Sequence, residues 1–168
     1  MSELRYYGDP VLRKTAAPVE AFDDGLRALV ERMAEALREA NGVGLAAPQI
    51  GVPSRVVIID TEYGEAPPRV LVNPEIVSAS EETVVEDEGC LSLPGISLDV
   101  KRSARVSVKA QNEKGEEYTI EDASGLLAKA LQHEVDHLNG ILFIDHVSAV
   151  QRGLLRSKLK KISAGKFD

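Results

Sequence analysis

A single cysteine, Cys90, is all the thiol that the 168 residues contain. With no second one an intramolecular disulfide is excluded, so Cys90 is either a buried structural thiol or a chemically used one. Long apolar runs are missing too. The longest uncharged stretches fall far short of the ~20 residues that a membrane span needs. The opening MSELRYYGDP lacks both an apolar signal core and the acid-free, Arg-rich look of a transit peptide, which points to the cytoplasm. Nor is there an excess of positive charge. With 27 acidic residues against 20 basic ones, a net charge of −7 and a pI near 5.1, the chain is ill suited to coat nucleic acid by neutralising phosphates. No sequence-specific nucleic-acid partner is expected.

What is present is the composition of one globular domain, residues 1–168, with 43% hydrophobic and 28% charged residues. A chain of this length buries roughly 70% of the surface its unfolded form exposes, so neither disulfide nor structural metal is required, and any metal is a functional one. Between residues 25 and 40, Leu26, Leu29, Val30, Met33 and Leu37 recur at intervals of three and four, predicting an amphipathic helix. Asp9-Pro10 reads as a cap followed by a single helical turn. The period then changes. Residues 55–60, 70–73, 83–88, 104–111 and 117–120 are short, rich in Val and Ile, and separated by Gly, Pro and Asn, as strands of a mostly antiparallel sheet are. QNEKGEE marks a hairpin through Asn112 and Gly115, and the stretch around Gly64 and Pro67-Pro68 marks a surface loop. From Ala123 the helical period returns through Leu127, Leu131, Val135 and Leu138 and stops at Asn139-Gly140. A last helix is expected over 148–162. The pattern is that of an α+β fold, a mostly antiparallel sheet packed around a central helix, with a C-terminal helix.

That central helix carries His133-Glu134-Val135-Asp136-His137. Residues i and i+4 project from one face of a helix, so both imidazoles can reach one ion, while Glu134 is placed to touch a water at that ion as a general base. Catalytic sites of this kind hold three protein ligands. No downstream histidine suits, since His146 reads as an ordinary, partly buried residue, and the only carboxylates after Gly140 are Asp145 and Asp168. Cys90, in Glu88-Gly89-Cys90-Leu91-Ser92, is the natural candidate, because Gly89 permits close backbone approach and a thiolate suits a borderline or soft divalent ion. A single cysteine beside a glycine is, taken alone, more often a small buried hydrophobe than a ligand. In Gly42-Val43-Gly44-Leu45-Ala46-Ala47-Pro48-Gln49 the small residues would let a peptide backbone lie alongside, and the Gln49 amide could donate to a substrate oxygen. A helix cap at Asn41-Gly42 followed by a turn explains the same residues.

Together GVGLAAPQ, EGCLS and HEVDH resemble the three signature segments of the peptide deformylase family, in the family's order. The resemblance implies a hydrolase that removes the formyl group from the N-terminal formyl-methionine of new polypeptides and releases formate. It implies Cys90, His133 and His137 as metal ligands, and Glu134 as the acid/base that helps a metal-held water attack the formyl carbon. Gln49 and the Leu91 backbone N–H would serve as oxyanion donors, with Gly44 pairing with the peptide. The resemblance implies Fe²⁺, while the softness of the ligands also admits Zn²⁺, Ni²⁺ and Co²⁺. A zinc peptidase is the rival enzyme, and a metal-holding peptide-binding module without turnover is the rival outside enzymes. Leu126, Lys129 and Ala130, one and two turns before His133, are expected on the metal side of the helix with Val43 as a further wall. If residues 83–90 form a regular strand, Glu86 could meet Lys129 at the rim. The last segment carries Arg152, Arg156, Lys158, Lys160, Lys161 and Lys166 against Asp168 alone. Arg152, Arg156 and Lys160 share a face opposite Leu154, Leu155 and Ile162, which are expected to dock the helix. A solvated basic face is the plain reading; the resemblance adds a second, attachment to the ribosome near the exit of the nascent chain.

Overall fold

The computed structural model describes residues 3–166. Met1 and Ser2 at the start, and Phe167 and Asp168 at the end, the latter the only acid of the basic tail, lie outside the described residues.

Among the described residues seven strands and four α-helices follow in order: α1 (Asp24–Ala40), β1 (Gly44–Ala46), β2 (Val56–Ile59), β3 (Arg69–Ala79), β4 (Thr83–Gly89), β5 (Ser97–Ser103), β6 (Arg105–Gln111), β7 (Glu117–Ser124), α2 (Gly125–Leu138), α3 (Ala149–Leu154) and α4 (Arg156–Ser163). Single 3₁₀ turns lie at Pro10–Arg13, Ala47–Ile50 and Phe143–His146. One sheet has five strands in the order β1-β2-β3-β6-β7, and β4 and β5 form a separate ribbon. Every strand pairing is antiparallel.

Helix α1 starts where Asp23 accepts a hydrogen bond from the Leu26 N–H at 3.1 Å, and stops where Asn41 turns left-handed at φ 54°. Its buried face, Leu26, Leu29, Met33, Ala36 and Leu37, covers one side of the sheet against Leu45, Ile58 and Val72. Helix α2 covers the other, setting Ala128, Leu131 and Leu138 on Val57, Ile59, Leu71 and Val108. Layers on both faces explain why VVII of β2 is buried at every position. A third apolar cluster joins Leu93, Ile96 and Val100 to Phe143, Ile144, Leu159 and Ile162, seating the β4–β5 ribbon and α4 on the body.

Three departures from the sequence reading have physical causes. Strand β3 runs on past Asn73 through Pro74 to Ala79, because the register shifts between Val72 and Glu75; the bulge takes the proline, which has no N–H to give. Strands β1 and β5 were not expected: β1 is only three residues long, and β5 carries Asp99, Lys101 and Arg102, a charge pattern that reads as loop. The expected single helix over 148–162 is broken at Leu155 into α3 and α4. Gly153 weakens the helix there, and only α4 has a surface to bury itself against. Leu159 and Ile162 are buried, but Val150 and Leu154 are 74% and 79% exposed, so Leu154 does not dock. Among the described residues no helix is long and apolar enough to cross a membrane.

Candidate metal centre

Cys90 follows the last residue of β4, and its carbonyl accepts the Leu93 N–H at 3.0 Å, a turn that brings the thiol back toward α2. From α2, His133 and His137 project on the same side. Cys90 Sγ lies 3.3 Å from His137 Nε2, and the two Nε2 atoms lie 3.3 Å apart. The ligand atoms of Cys90, His133 and His137 all fall within 4.8 Å of one another, the one such group of His, Cys and acidic side chains among the described residues. His133 Nδ1 lies 2.9 Å from Glu88 Oε1. A carboxylate only accepts, so Nδ1 donates to it and Nε2 is left facing the other two ligand atoms. A tetrahedral ion with bonds of about 2.0–2.3 Å sets its ligands roughly 3.3–3.6 Å apart, and both short separations match that edge. One thiol and two imidazole nitrogens gathered about a common point fit a borderline divalent cation, which binds them in their deprotonated forms.

Burial, with the charges of His133 and Arg102, pushes His137 well below the ordinary imidazole range, which keeps it in the neutral form that can bind a cation. For His133 burial pulls in the same direction, but its bonds to Cys90 and Glu88 and the charge of Glu134 outweigh it and raise the ring. Burial would also raise Glu88; the Arg102 guanidinium and His133 prevail and hold it at about 2, firmly ionised. Glu134 has no such partner. It is buried, its Oε1 has no hydrogen bond among the described residues, and burial, partly offset by His133 and Arg102, pushes it up to about 7. A carboxyl poised there can both take and return a proton near neutral pH.

Gly44 of β1 lies directly over Glu134. A Cβ at that position would meet Glu134 Oε2 at 2.8 Å and Cγ at 3.0 Å, so only glycine lets strand and carboxylate approach this closely. Gln49, in the turn after β1, accepts the Ala46 N–H at 2.9 Å and donates from Nε2 to Ser92 Oγ at 3.1 Å, with the same nitrogen 3.6 Å from Cys90 Sγ. Its amide is thereby fixed in orientation, Nε2 toward the thiol. A cavity of about 440 Å³ opens onto these groups, with Val43, Gly44 and Leu91 on one side and Leu126, Lys129 and Ala130 on the other. Lys129 bonds the Asp87 carbonyl at 3.1 Å and pairs with Glu86 at 3.7 Å. Lys129 lines the cavity and Glu86 does not.

The structure thus brings Cys90, His133, His137, Glu134, Gln49, Leu91, Val43, Gly44, Leu126 and Ala130 to one place. Ser92, Arg102 and the role of Glu88 escaped the sequence reading. Alternation along β4 puts Glu88 and Cys90 on one face, a usable signal, but nothing local in SLDVKRS marks Arg102 as a buried cation. His146 is exposed rather than partly buried, because it lies on the surface turn after Ile144; it sits 2.8 Å from Asp136, outside the ligand group.

The sequence pattern of the polypeptide deformylase family matches residues 1–153. The peptide deformylase of Thermotoga maritima is 48% identical over 163 residues, spanning 97% of both chains. That of Neisseria meningitidis is 48% identical over 155 residues, 92% of each. The crystal structure of a peptide deformylase from Legionella pneumophila superposes with a TM-score of 0.91 at 44% identity, over 98% of this chain and 96% of the other.

Proposed function

The chain belongs to the peptide deformylase family, and on that premise we propose how its own residues remove the formyl group from the N-terminal formyl-methionine of a new polypeptide and release formate. The carrying observation is the convergence of Cys90 Sγ and the His133 and His137 Nε2 atoms beside the buried carboxyl of Glu134, whose Oε1 has no hydrogen-bond partner among the described residues. The family implies a divalent metal; we assign it to these three atoms and take Fe²⁺ as the native ion, with Zn²⁺, Ni²⁺ and Co²⁺ as ions the same donors accept. When bound, the ion acidifies a water and polarises the formyl oxygen.

The peptide lies extended along β1, the edge strand of its sheet, with Val43 and Gly44 meeting its backbone as an added strand would. Its methionine side chain enters the cavity toward Leu126 and Ala130. Glu134 takes the proton of the attacking water at its free Oε1. As the formyl oxygen gains charge, Gln49 Nε2 and the Leu91 N–H donate to it; Ser92 and Ala46 hold the Gln49 amide so that little reorganisation is needed. Glu134 then returns the proton to the departing amine, leaving formate and a free N-terminus.

Residues 1–168 act as one catalytic domain, in the cytoplasm where nascent chains are made. Arg152, Arg156 and Lys160 line a second cleft, of about 690 Å³, that shares no residue with the first, and this basic face is the proposed contact with the ribosome. The site assignment is tested by Glu134→Ala, expected to keep a full equivalent of metal while formate release from formyl-Met peptides falls about 10²–10⁴-fold. Cys90→Ala should lose the metal. Metal held equally well by Cys90→Ala would remove the cysteine from the ligand set, and internal cleavage of unblocked peptides would favour a peptidase.

A further inference from the structure

Arg102 is 6% exposed, and each of its three guanidinium nitrogens is engaged. Nε and Nη2 donate to Glu88 Oε2 and Oε1, both at 2.9 Å, and Nη1 donates to Asp136 Oδ2 at 2.7 Å, with His146 Nε2 at 3.4 Å from the same nitrogen. Glu88 Oε1 is shared, because it also accepts from His133 Nδ1. The three elements so joined are β5, which carries Arg102, β4, which leads into Cys90, and α2, which carries both imidazoles.

We propose that Arg102 is a positioning residue for the metal centre: its two-pronged bond fixes the plane of the Glu88 carboxylate, and Glu88 in turn fixes the ring of His133 with Nε2 directed at the ion. The inference rests on the metal reading above. A buried ion cluster is not needed for stability, since apolar residues of similar volume often serve as well. What they cannot supply is direction. A carboxylate held by one imidazole alone can turn about its last bond, whereas a guanidinium fork holds both oxygens in one plane. The other imidazole has no counterpart to this chain of bonds, because the Nδ1 atom of His137 is buried without a partner among the described residues. Of the two imidazoles only His133 is therefore oriented through its Nδ1, and the source of that orientation is Arg102; the thiol of Cys90 is met separately by Gln49 Nε2 at 3.6 Å. Asp136, in the helix turn between the two histidines, holds the third guanidinium nitrogen and keeps the fork from rotating.

The test uses the full chain loaded with Co²⁺, as wild type, Arg102→Lys, Arg102→Met, Glu88→Gln and the double variant Arg102→Met/Glu88→Gln. The readouts are the rate of Co²⁺ transfer to an excess of chelator, the visible cobalt absorption band, and the unfolding temperature of the metal-free proteins. Loss of an outer partner of a metal-bound histidine typically weakens metal binding by about 10–100-fold. Arg102→Met and Glu88→Gln are expected to release Co²⁺ faster by that factor with an altered band. Arg102→Lys, which keeps the charge and loses the fork, should not restore the wild-type rate. The double variant should be no faster than the worse single one, since both act through one contact. An unchanged band and release rate in Arg102→Lys and Glu88→Gln, with only the unfolding temperature lowered, would overturn the proposal. Additive effects in the double variant would overturn it as well. Should Arg102→Met not fold, Arg102→Lys and Glu88→Gln decide the matter alone. Failure of the wild type to take up Co²⁺ is a different result, and would overturn the metal reading together with this one.

Discussion

Helix α2 buries Ala128, Leu131, Val135 and Leu138 together with His133, Glu134 and His137, whereas α3 has no buried residue at all. Both segments show apolar residues at helical spacing in the sequence. The difference lies in what each meets. Helix α2 lies against the five-stranded sheet on one side and the β4–β5 ribbon on the other, so even its polar side chains are enclosed. The apolar anchors of the C-terminal segment are Leu159 and Ile162 of α4, with half-buried Leu155 before them. An apolar period states which residues can face inward together; whether they do depends on a partner surface supplied from elsewhere in the chain.

The contrast can be broken most severely at Leu131, which is 0% exposed, against Leu154, which is 79% exposed. Leu131→Ala is expected to cost about 2–5 kcal/mol in denaturant unfolding, and Leu154→Ala to stay within about 0.5 kcal/mol. Equal losses would mean that α3 is docked after all. A second test separates the two regions by function. Reversing Arg152, Arg156 and Lys160 to Glu should weaken co-sedimentation with ribosomes at low salt by at least about tenfold and leave turnover of a short formyl peptide unchanged; unchanged co-sedimentation would confine the basic face to solvation. A smaller effect is expected where α2 meets the cavity. Replacing Glu86 and Lys129 by Ile should change the ratio of kcat/KM for formyl-Met against formyl-Leu peptides by about threefold to tenfold, Lys129 being the residue that lines the wall. A ratio that stays fixed would place Lys129 outside the path of the side chain.

The smallest effect concerns what holds the C-terminal segment down. Asp145 binds Arg13 at 2.6 Å and Arg152 at 2.9 Å and accepts the Leu142 N–H at 3.0 Å. Burial would raise its carboxyl, but these partners prevail and hold it below the ordinary carboxylate value. A group lowered on folding contributes stability that is complete above its unfolded value, about 3.9, and is lost as the pH falls through the folded one. Because the partners are partly exposed, the contribution is about 0.2–1 kcal/mol. Asp145→Asn should lower stability by that amount at pH 7 and flatten this part of the acid slope; an identical slope in the variant would show that Asp145 does not titrate between the two states.

Much of the site was legible along the chain because helical and strand periods are local. HEVDH places two imidazoles and a carboxylate on one helix face, and Gly44 and Gln49 stand in a run of small residues where only backbone or amide contacts are available. The capped helix α1, the Asn112–Gly115 hairpin and the stop at Asn139-Gly140 are written in the same way, by residues that act on their own neighbours. What spacing could not decide was whether Cys90, forty-odd residues before the histidines, meets them. That depends on the β4–β5 ribbon folding over α2, and on the charges Glu88, Arg102 and Asp136 neutralising one another once water is gone. The break at Leu155 and the bulge that admits Pro74 have the same origin. Local geometry is set by the residues themselves, and so it can be read from their order; burial, pairing of charges and the shift of Glu134 toward neutrality arise only when distant segments exclude water from one another.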